Sequence, residues 1–334
     1  MSALIECVPN VSEGRNLQSL EAISQAIKAV DSVKLLHIDR GEAANRTVFT
    51  FVGPPNNVIE AAFQVIKTTA LHIDMRLQKG THPRIGATDV CPLIPISNIS
   101  MKEVDKLAQQ LGKRVAAELK IPVYLYEQSA TTSERKNLAT IRQGAYEGLE
   151  KKMQLPKWYP DFGKKFNAKS GATVIGARNF LIAYNVNLNT SSIQIARRIA
   201  KEIRESGSLV KQLDGTKIRV PGLLKSLKAI GWYIEEYGKA QVSMNLTSYK
   251  ETGLSPAYEA CKMIAQKYKV VVTGSELIGL IPKEAILAAG QFYAKKINTS
   301  ALSEQNLIQL AIKELGLSEI APFNYKERIL EYLL

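Results

Sequence analysis

Apolar positions along this chain recur at two spacings, one of strand and one of helix. Residues 3–9 form a short apolar run of strand length, and after a turn at Gly14 come Leu17, Leu20, Ile23, Ile27 and Val30 at helical intervals. Residues 33–38 and 47–52 are rich in β-branched and aromatic side chains and bracket a turn expected at Asp39-Arg40-Gly41. Beyond Pro54-Pro55, Val58, Ile59, Ala62, Phe63 and Ile66 share one face of a second helix. Ser100 and Glu103 have the spacing of a capping box and open a third, with Val104, Leu107, Leu111 and Val115 buried. Residues 122–127 read as a closing strand. Between the second and third helices, residues 78–95 show no period, and so long an irregular stretch in a compact domain is expected to be functional.

A polar connector at about residues 143–169 contains Pro and Gly, and after it the order recurs. Residues 180–188 are a strand, and Thr190 or Ser191 is expected to cap a helix built on Ile195, Ala196, Ile199 and Ile203 that stops near Gly207. Strands at 229–235 and 240–247 flank Tyr237-Gly238. A helix starts at Ser255-Pro256, residues 270–273 are a strand, and helices at 302–316 and 325–334 close the chain. Two βαββαβ units define an α+β protein of two layered sandwiches, each a mostly antiparallel sheet with helices on one face. A cleft between the two lobes is the expected site.

Composition narrows the partners. The 334 residues carry 44 Lys and Arg against 31 Asp and Glu, a net charge of +13. Residues 1–150 hold 17 against 16, so nearly all of the excess falls on residues 151–334. That field suits nucleic acid, an anionic surface or a small polyanion. The paired cations, such as Lys164-Lys165 and Arg197-Arg198, are isolated, and no nucleic-acid motif accompanies them, so a basic nucleic-acid-binding protein is the competing class. No leader and no spanning segment precede or interrupt the pattern, which implies a cytoplasmic protein without a membrane partner. Cys7, Cys91 and Cys261 are far apart, and His37, His72 and His82 lack ligand spacing. Buried thiols and no metal are expected.

Gly80-Thr81-His82-Pro83-Arg84-Ile85-Gly86-Ala87-Thr88-Asp89 gathers most of the chemistry. An imidazole accepts and returns a proton near neutral pH, and glycines let backbone approach a ligand. His82 is either catalytic or a loop histidine satisfied by a backbone carbonyl. His37 lies in an apolar strand and His72 at a helix end, and both read as structural. Arg46 and Arg84 are candidates for holding a carboxylate, the alternative being a surface salt bridge. Asp39 orients the imidazole or makes an Asx-turn. Phosphate loops, dinucleotide fingerprints, nucleophile elbows and zinc helices have no match.

Four segments carry a resemblance: Glu6-Cys7-Val8-Pro9-Asn10-Val11-Ser12-Glu13-Gly14-Arg15; Asn45-Arg46-Thr47 with Phe51-Val52-Gly53; Thr81 to Pro92; and Gly171-Ala172-Thr173-Val174-Ile175-Gly176-Ala177-Arg178-Asn179 running on to Asn185. Together they resemble the glutamate formimidoyltransferases, from Ala3 through at least Gly279. The resemblance implies two ferredoxin-like subdomains, residues 1–178 with the catalytic histidine and residues 179–334 as the basic, folate-binding side. It implies transfer of a formimidoyl group from N-formimidoyl-L-glutamate to N5 of tetrahydrofolate in histidine degradation. An N-formylglutamate donor giving 5-formyltetrahydrofolate is the nearest rival. The family's catalytic histidine falls on His82; Asp39 is expected to orient it, and Arg46, Arg84, Asn10, Thr88 and Arg178 are the expected substrate-binding residues. Folate binding falls on Gly163, Lys164, Lys165, Phe166, Asn167, Ala168, Lys169, Ser170, Gly171 and Ala172, a stretch more basic here than the family pattern. Tetrahydrofolate, with or without a polyglutamate tail, is the co-substrate. A homodimer and a separate cyclodeaminase complete the expected partners.

Overall fold

A computed structural model describes residues 2–80, 82–212, 214–299 and 302–334, so Thr81 of the histidine segment lies outside the described residues. The chain divides into two compact units, Met1–Asn179 and Phe180–Leu334. In the first, β1 (Leu4–Cys7), β2 (Asn10–Val11), α1 (Leu17–Lys28), β3 (Lys34–Gly41), β4 (Arg46–Gly53), α2 (Pro55–His72) and β5 (Thr88–Ser97) make a βαββαβ set. It is extended by α3 (Met101–Arg114), β6 (Val123–Leu125), α4 (Leu138–Ile141), α5 (Ala145–Met153) and β7 (Thr173–Ala177). β1 and β2 lie end to end between β4 and β5, and β3 pairs outside β4, all antiparallel. β7 and then β6 add to the other side of β5 in parallel.

Local chemistry explains most element ends. Asn16 accepts from Ser19 N to start α1, Pro55 opens α2, and Ser100 with Glu103 forms the expected capping box. One face of the sheet buries Ile5, Cys7, Phe49, Phe51, Cys91 and Leu93 against Val58, Ile66, Val104 and Leu111 of α2 and α3. Each such side chain contributes roughly 1.5–3 kcal/mol on burial. On the opposite face, at the β5–β7–β6 end, Val90, Tyr124, Tyr126 and Val174 pack on Ile141, Leu149 and Met153.

The second unit is β8 (Ile182–Leu188), α6 (Ile193–Ile203), a hairpin of β9 (Ser208–Lys211) and β10 (Lys217–Val220), β11 (Leu227–Ile234), β12 (Lys239–Leu246), α7 (Leu254–Lys267), β13 (Val272–Ile278), α8 (Lys283–Lys296), α9 (Glu304–Glu314) and α10 (Tyr325–Arg328). Its sheet order is β11-β12-β8-β13, antiparallel throughout. Counted within each βαββαβ set, both sheets run second, third, first, fourth strand, the ferredoxin-like order. Among the described residues no helix is long and apolar enough to cross a membrane.

Several elements differ from the pattern reading. Residues 88–97 are a ten-residue strand, not part of an irregular insert. Pro92 and Pro95 disguise it, yet the Pro92 carbonyl still accepts from Val8 N, so only a donor is lost. The turn expected at Asp39-Arg40-Gly41 is still strand, and the chain reverses over residues 42–45. Ser192, not Thr190 or Ser191, caps α6 by accepting from Ile195 N. The connector holds α5, and β7, α8 and the β9–β10 hairpin went unread.

Candidate active site

The first sheet's alternation decides which side chains can meet. Phe49 and Phe51 face the helices, so Arg46, Val48, Thr50 and Val52 face away from them. Asp39 and Asn10 both pair with Val48, and Glu6 pairs with Val52 and with Ile94 of β5. Arg46, Asp39, Asn10 and Glu6 therefore share one face of the sheet.

His82 is brought to that face by its loop. Asn45, at the end of the turn before β4, accepts from Gly14 N at 2.9 Å and donates to the Lys79 carbonyl at 2.8 Å. The loop's far end is stitched to the expected folate segment: Ala87 N bonds Ser170 O, Ala172 N bonds Ile85 O, and Gly86 pairs with Gly171. Gly171 has φ +69°, and a Cβ there would stand 2.1 Å from the Ile85 carbonyl oxygen. Only glycine fits such an approach.

Arg46 Nη1 bonds His82 Nε2, and His82 Nδ1 lies 2.8 Å from the Pro83 carbonyl oxygen. A guanidinium only donates, so Nε2 is the acceptor and Nδ1 carries the proton, given to Pro83. Burial, then the charges of Arg46 and Arg142, hold His82 well below its ordinary range. The imidazole is thus neutral at physiological pH, with its lone pair aimed at Arg46. Burial, with Arg142 adding to it, lowers Arg46 to about 9, which leaves it charged at neutral pH; Asp89 and Asp39 pull the other way.

Arg142, at the end of α4, is the member that sequence reasoning missed. It pairs with Asp89, whose other oxygen takes Ile85 N at 2.9 Å. One buried carboxylate thus fixes both the exit of the histidine loop and a second guanidinium. The Nε atoms of Arg46 and Arg142 are buried without a hydrogen bond. Nothing in the local pattern marks Arg142, a lone cation about fifty residues from Asp89. The neutral imidazole thus sits by two guanidiniums, Arg142 held by Asp89 and Arg46 under the charges of Asp89 and Asp39.

Other expected residues have different company. Arg84 is bidentate to Glu147, at 2.8 and 3.0 Å, and also bonds the Gln78 side chain and carbonyl, so its donors are engaged inside the fold. Thr88 is buried and bonds Thr69 of α2, fastening β5 to that helix. Asn10 donates to the Val8 carbonyl. Arg178 follows β7, its backbone N on Leu93 O and its Nη1 on Asn179 O. In the folate segment, Asn167 accepts from Ser170 N, Phe166 packs against Tyr146, and Lys169 donates to the Leu71 carbonyl. Gly163, Lys164, Lys165 and Ala168 are exposed, and Ser170, Gly171 and Ala172 are buried. The whole segment belongs to the first unit, not the second.

Fold and site together define an α+β protein of two ferredoxin-like units, the first carrying a histidine-centred site. Residues 4–178 match the formiminotransferase domain N-terminal subdomain and residues 183–334 the formiminotransferase domain, and the chain belongs to that family. It is 46% identical over its whole length to a formimidoyltransferase-cyclodeaminase of Dictyostelium discoideum and 47% identical to one of Rattus norvegicus. It spans about three-fifths of the length of these relatives, 61% and 60%. It is 42% identical to a glutamate formimidoyltransferase of Streptococcus pyogenes serotype M1, over 88% of this chain and 94% of that one.

Proposed function

We propose that this chain is a glutamate formimidoyltransferase, moving the formimidoyl group of N-formimidoyl-L-glutamate to N5 of tetrahydrofolate. The observation that carries the reading is the neutral His82, its Nε2 lone pair taken by Arg46 and its protonated form disfavoured by the charge of Arg142 as well. Folate supplies a nucleophilic nitrogen and the donor supplies the amidine carbon. As the new C–N bond forms and the old one breaks, N5 must lose a proton and the glutamate nitrogen must gain one. His82 Nε2 takes the first and returns it to the second. The donor's carboxylates draw Arg46 and Arg142 onto themselves, which frees the Nε2 lone pair that Arg46 now occupies. Arg178 supports the same anions from β7, Asn10 lines the face between, and Asp39 acts on Arg46 by charge. Arg84, held by Glu147, keeps the histidine loop in place.

The segment at 163–172 fits a folate tail: exposed Lys164 and Lys165 offer two cations to its carboxylates, and Gly171 keeps the backbone close to the histidine loop. A homodimer, a tail-length preference and a cyclodeaminase acting on the product are further parts of this reading. The test is turnover of N-formimidoylglutamate with tetrahydrofolate, run beside N-formylglutamate. Formation of 5-formimidoyltetrahydrofolate at a higher kcat/KM than the formyl product is expected. His82→Gln should lose about 10²–10⁴-fold in kcat and still bind 5-formyltetrahydrofolate; unchanged turnover would remove His82 from the mechanism.

A further inference from the structure

α4 is a single turn of four residues, yet it carries at its end Arg142, the guanidinium that clasps Asp89. A helix of that length does not hold itself, so its end is fixed from elsewhere. Directly after Arg142 the chain reverses through Gly144 and Ala145, with φ +89° and +50°, and Ala145 N bonds the Arg142 carbonyl at 2.8 Å. A non-glycine residue in the left-handed region is strained and persists where its surroundings over-determine it.

Lys152 of α5 supplies that constraint. The reversal brings its side chain back to α4, where Nζ donates to the carbonyls of Thr140, Ile141 and Gln143 at 3.0, 2.7 and 3.2 Å. These carbonyls stand on both sides of Arg142. An ammonium has three N–H groups, and all of them go to this one stretch of backbone. Nζ also lies 4.0 Å from the centroid of the Trp158 ring, and the Trp158 carbonyl accepts from the Tyr124 hydroxyl of β6 at 2.7 Å. Burial lowers the amine from 10.5 to about 8, which leaves it charged at neutral pH. A continuous set of hydrogen bonds then runs toward the histidine. Lys152 holds the backbone around Arg142, Arg142 bonds Asp89, and Asp89 takes Ile85 N at the exit of the His82 loop at 2.9 Å.

We propose that Lys152 is a positioning residue, fixing the end of α4 so that Arg142 stays on Asp89 and the His82 loop keeps its place. The inference rests on the formimidoyl-transfer reading above and adds to it a support that touches neither substrate nor His82.

The experiment compares wild type with Lys152→Met, Lys152→Arg, Arg142→Gln and the double variant Lys152→Met with Arg142→Gln. It reads turnover at pH 7, thermal unfolding, and the His82 Cε1–H resonance followed through pH. Lys152→Met keeps the stem over Trp158 and loses every donor. The KM for N-formimidoylglutamate should rise about tenfold, with the KM for tetrahydrofolate within about twofold of wild type. The His82 midpoint should move toward 6.5 as Arg142 withdraws, while Arg46, bonded to Nε2, keeps it from arriving there. Lys152→Arg keeps the charge but cannot bring three N–H groups to one point. It should show smaller changes of the same sign, and it carries the test where the Met variant does not fold. In the Arg142→Gln background, Lys152→Met should add less than about twofold to the donor KM. An unmoved His82 midpoint, losses that multiply in the double variant, or a lower unfolding temperature alone overturns the assignment and leaves Lys152 a stabiliser of the fold. The titration needs no substrate. If the midpoint shifts through Arg142 while wild type does not turn over N-formimidoylglutamate, or while the donor KM stays level, the functional reading of Arg142 falls and the positioning role stands.

Discussion

One guanidinium bonded to the imidazole and a second acting on it by charge set the behaviour of the site at the scale of single residues. Each positive charge disfavours the imidazolium, and burial disfavours it further, so His82 stays a base at pH values where an exposed histidine is half protonated. The proton-linkage sign follows. The unfolded chain takes up a proton at His82 near pH 6.5 and the folded chain does so only in more acid solution, so this residue erodes stability as pH falls below about 6.5. The acid limb of kcat/KM should lie below that value. Arg46→Gln removes the nearer charge but not the burial, so the His82 ring should titrate closer to 6.5 than in wild type while remaining below it. The imidazole Cε1–H resonance, followed through pH, reads this directly; an unmoved midpoint would show that the charges do not set it. His82 and Arg46 stood out in the sequence by type and by neighbours. Arg142 and Asp89 meet only because β5 carries a bulge beside β2 and α4 covers that end of the sheet, contacts between segments about fifty residues apart that no local pattern encodes.

At the scale of elements, the readable ones are those whose signals are local. α1, α2 and α3 announced themselves by period and by cap, and all three are present within a residue or two of expectation. β5 and β7 were hidden because both are buried on two faces and interrupted by Pro or Gly, so neither alternates. Yet these two strands position the site: their lead-in segments, 85–87 and 170–172, are bonded to each other and tie the histidine loop to the folate segment. Gly171→Ala tests that tie. A methyl group would stand 2.1 Å from a backbone oxygen on a residue with φ +69°, so the chain must shift at both segments, at a cost of about 2 kcal/mol or more. Urea unfolding should show that loss, and kcat should fall with it because His82 moves with its loop. Full stability with wild-type turnover would mean that the two segments are not coupled.

Charge is legible only at the scale of the whole molecule, and the structural boundary changes how it is read. Divided at residue 150, the net +13 falls almost wholly on the second half, but the compact units divide at Asn179. Residues 151–179 alone carry seven Lys and Arg against one Asp, so the first unit holds +7 and the second +6. The dense positive stretch is therefore the segment with Lys164, Lys165, Lys169 and Arg178, bonded to the histidine loop and to β5. The proposed substrates are both anionic, and a positive field of this kind acts on their capture more than on the proton transfer that follows. Raising ionic strength from about 0.05 to 0.5 M shortens the Debye length from roughly 14 to 4 Å. The KM for folate should then rise severalfold, more steeply as glutamates are added to its tail, while kcat stays nearly level. Lys164→Gln with Lys165→Gln should flatten that salt dependence without touching the His82 titration. If the slope survives in the double variant, the attraction comes from elsewhere on the surface, and the folate tail does not run along this segment.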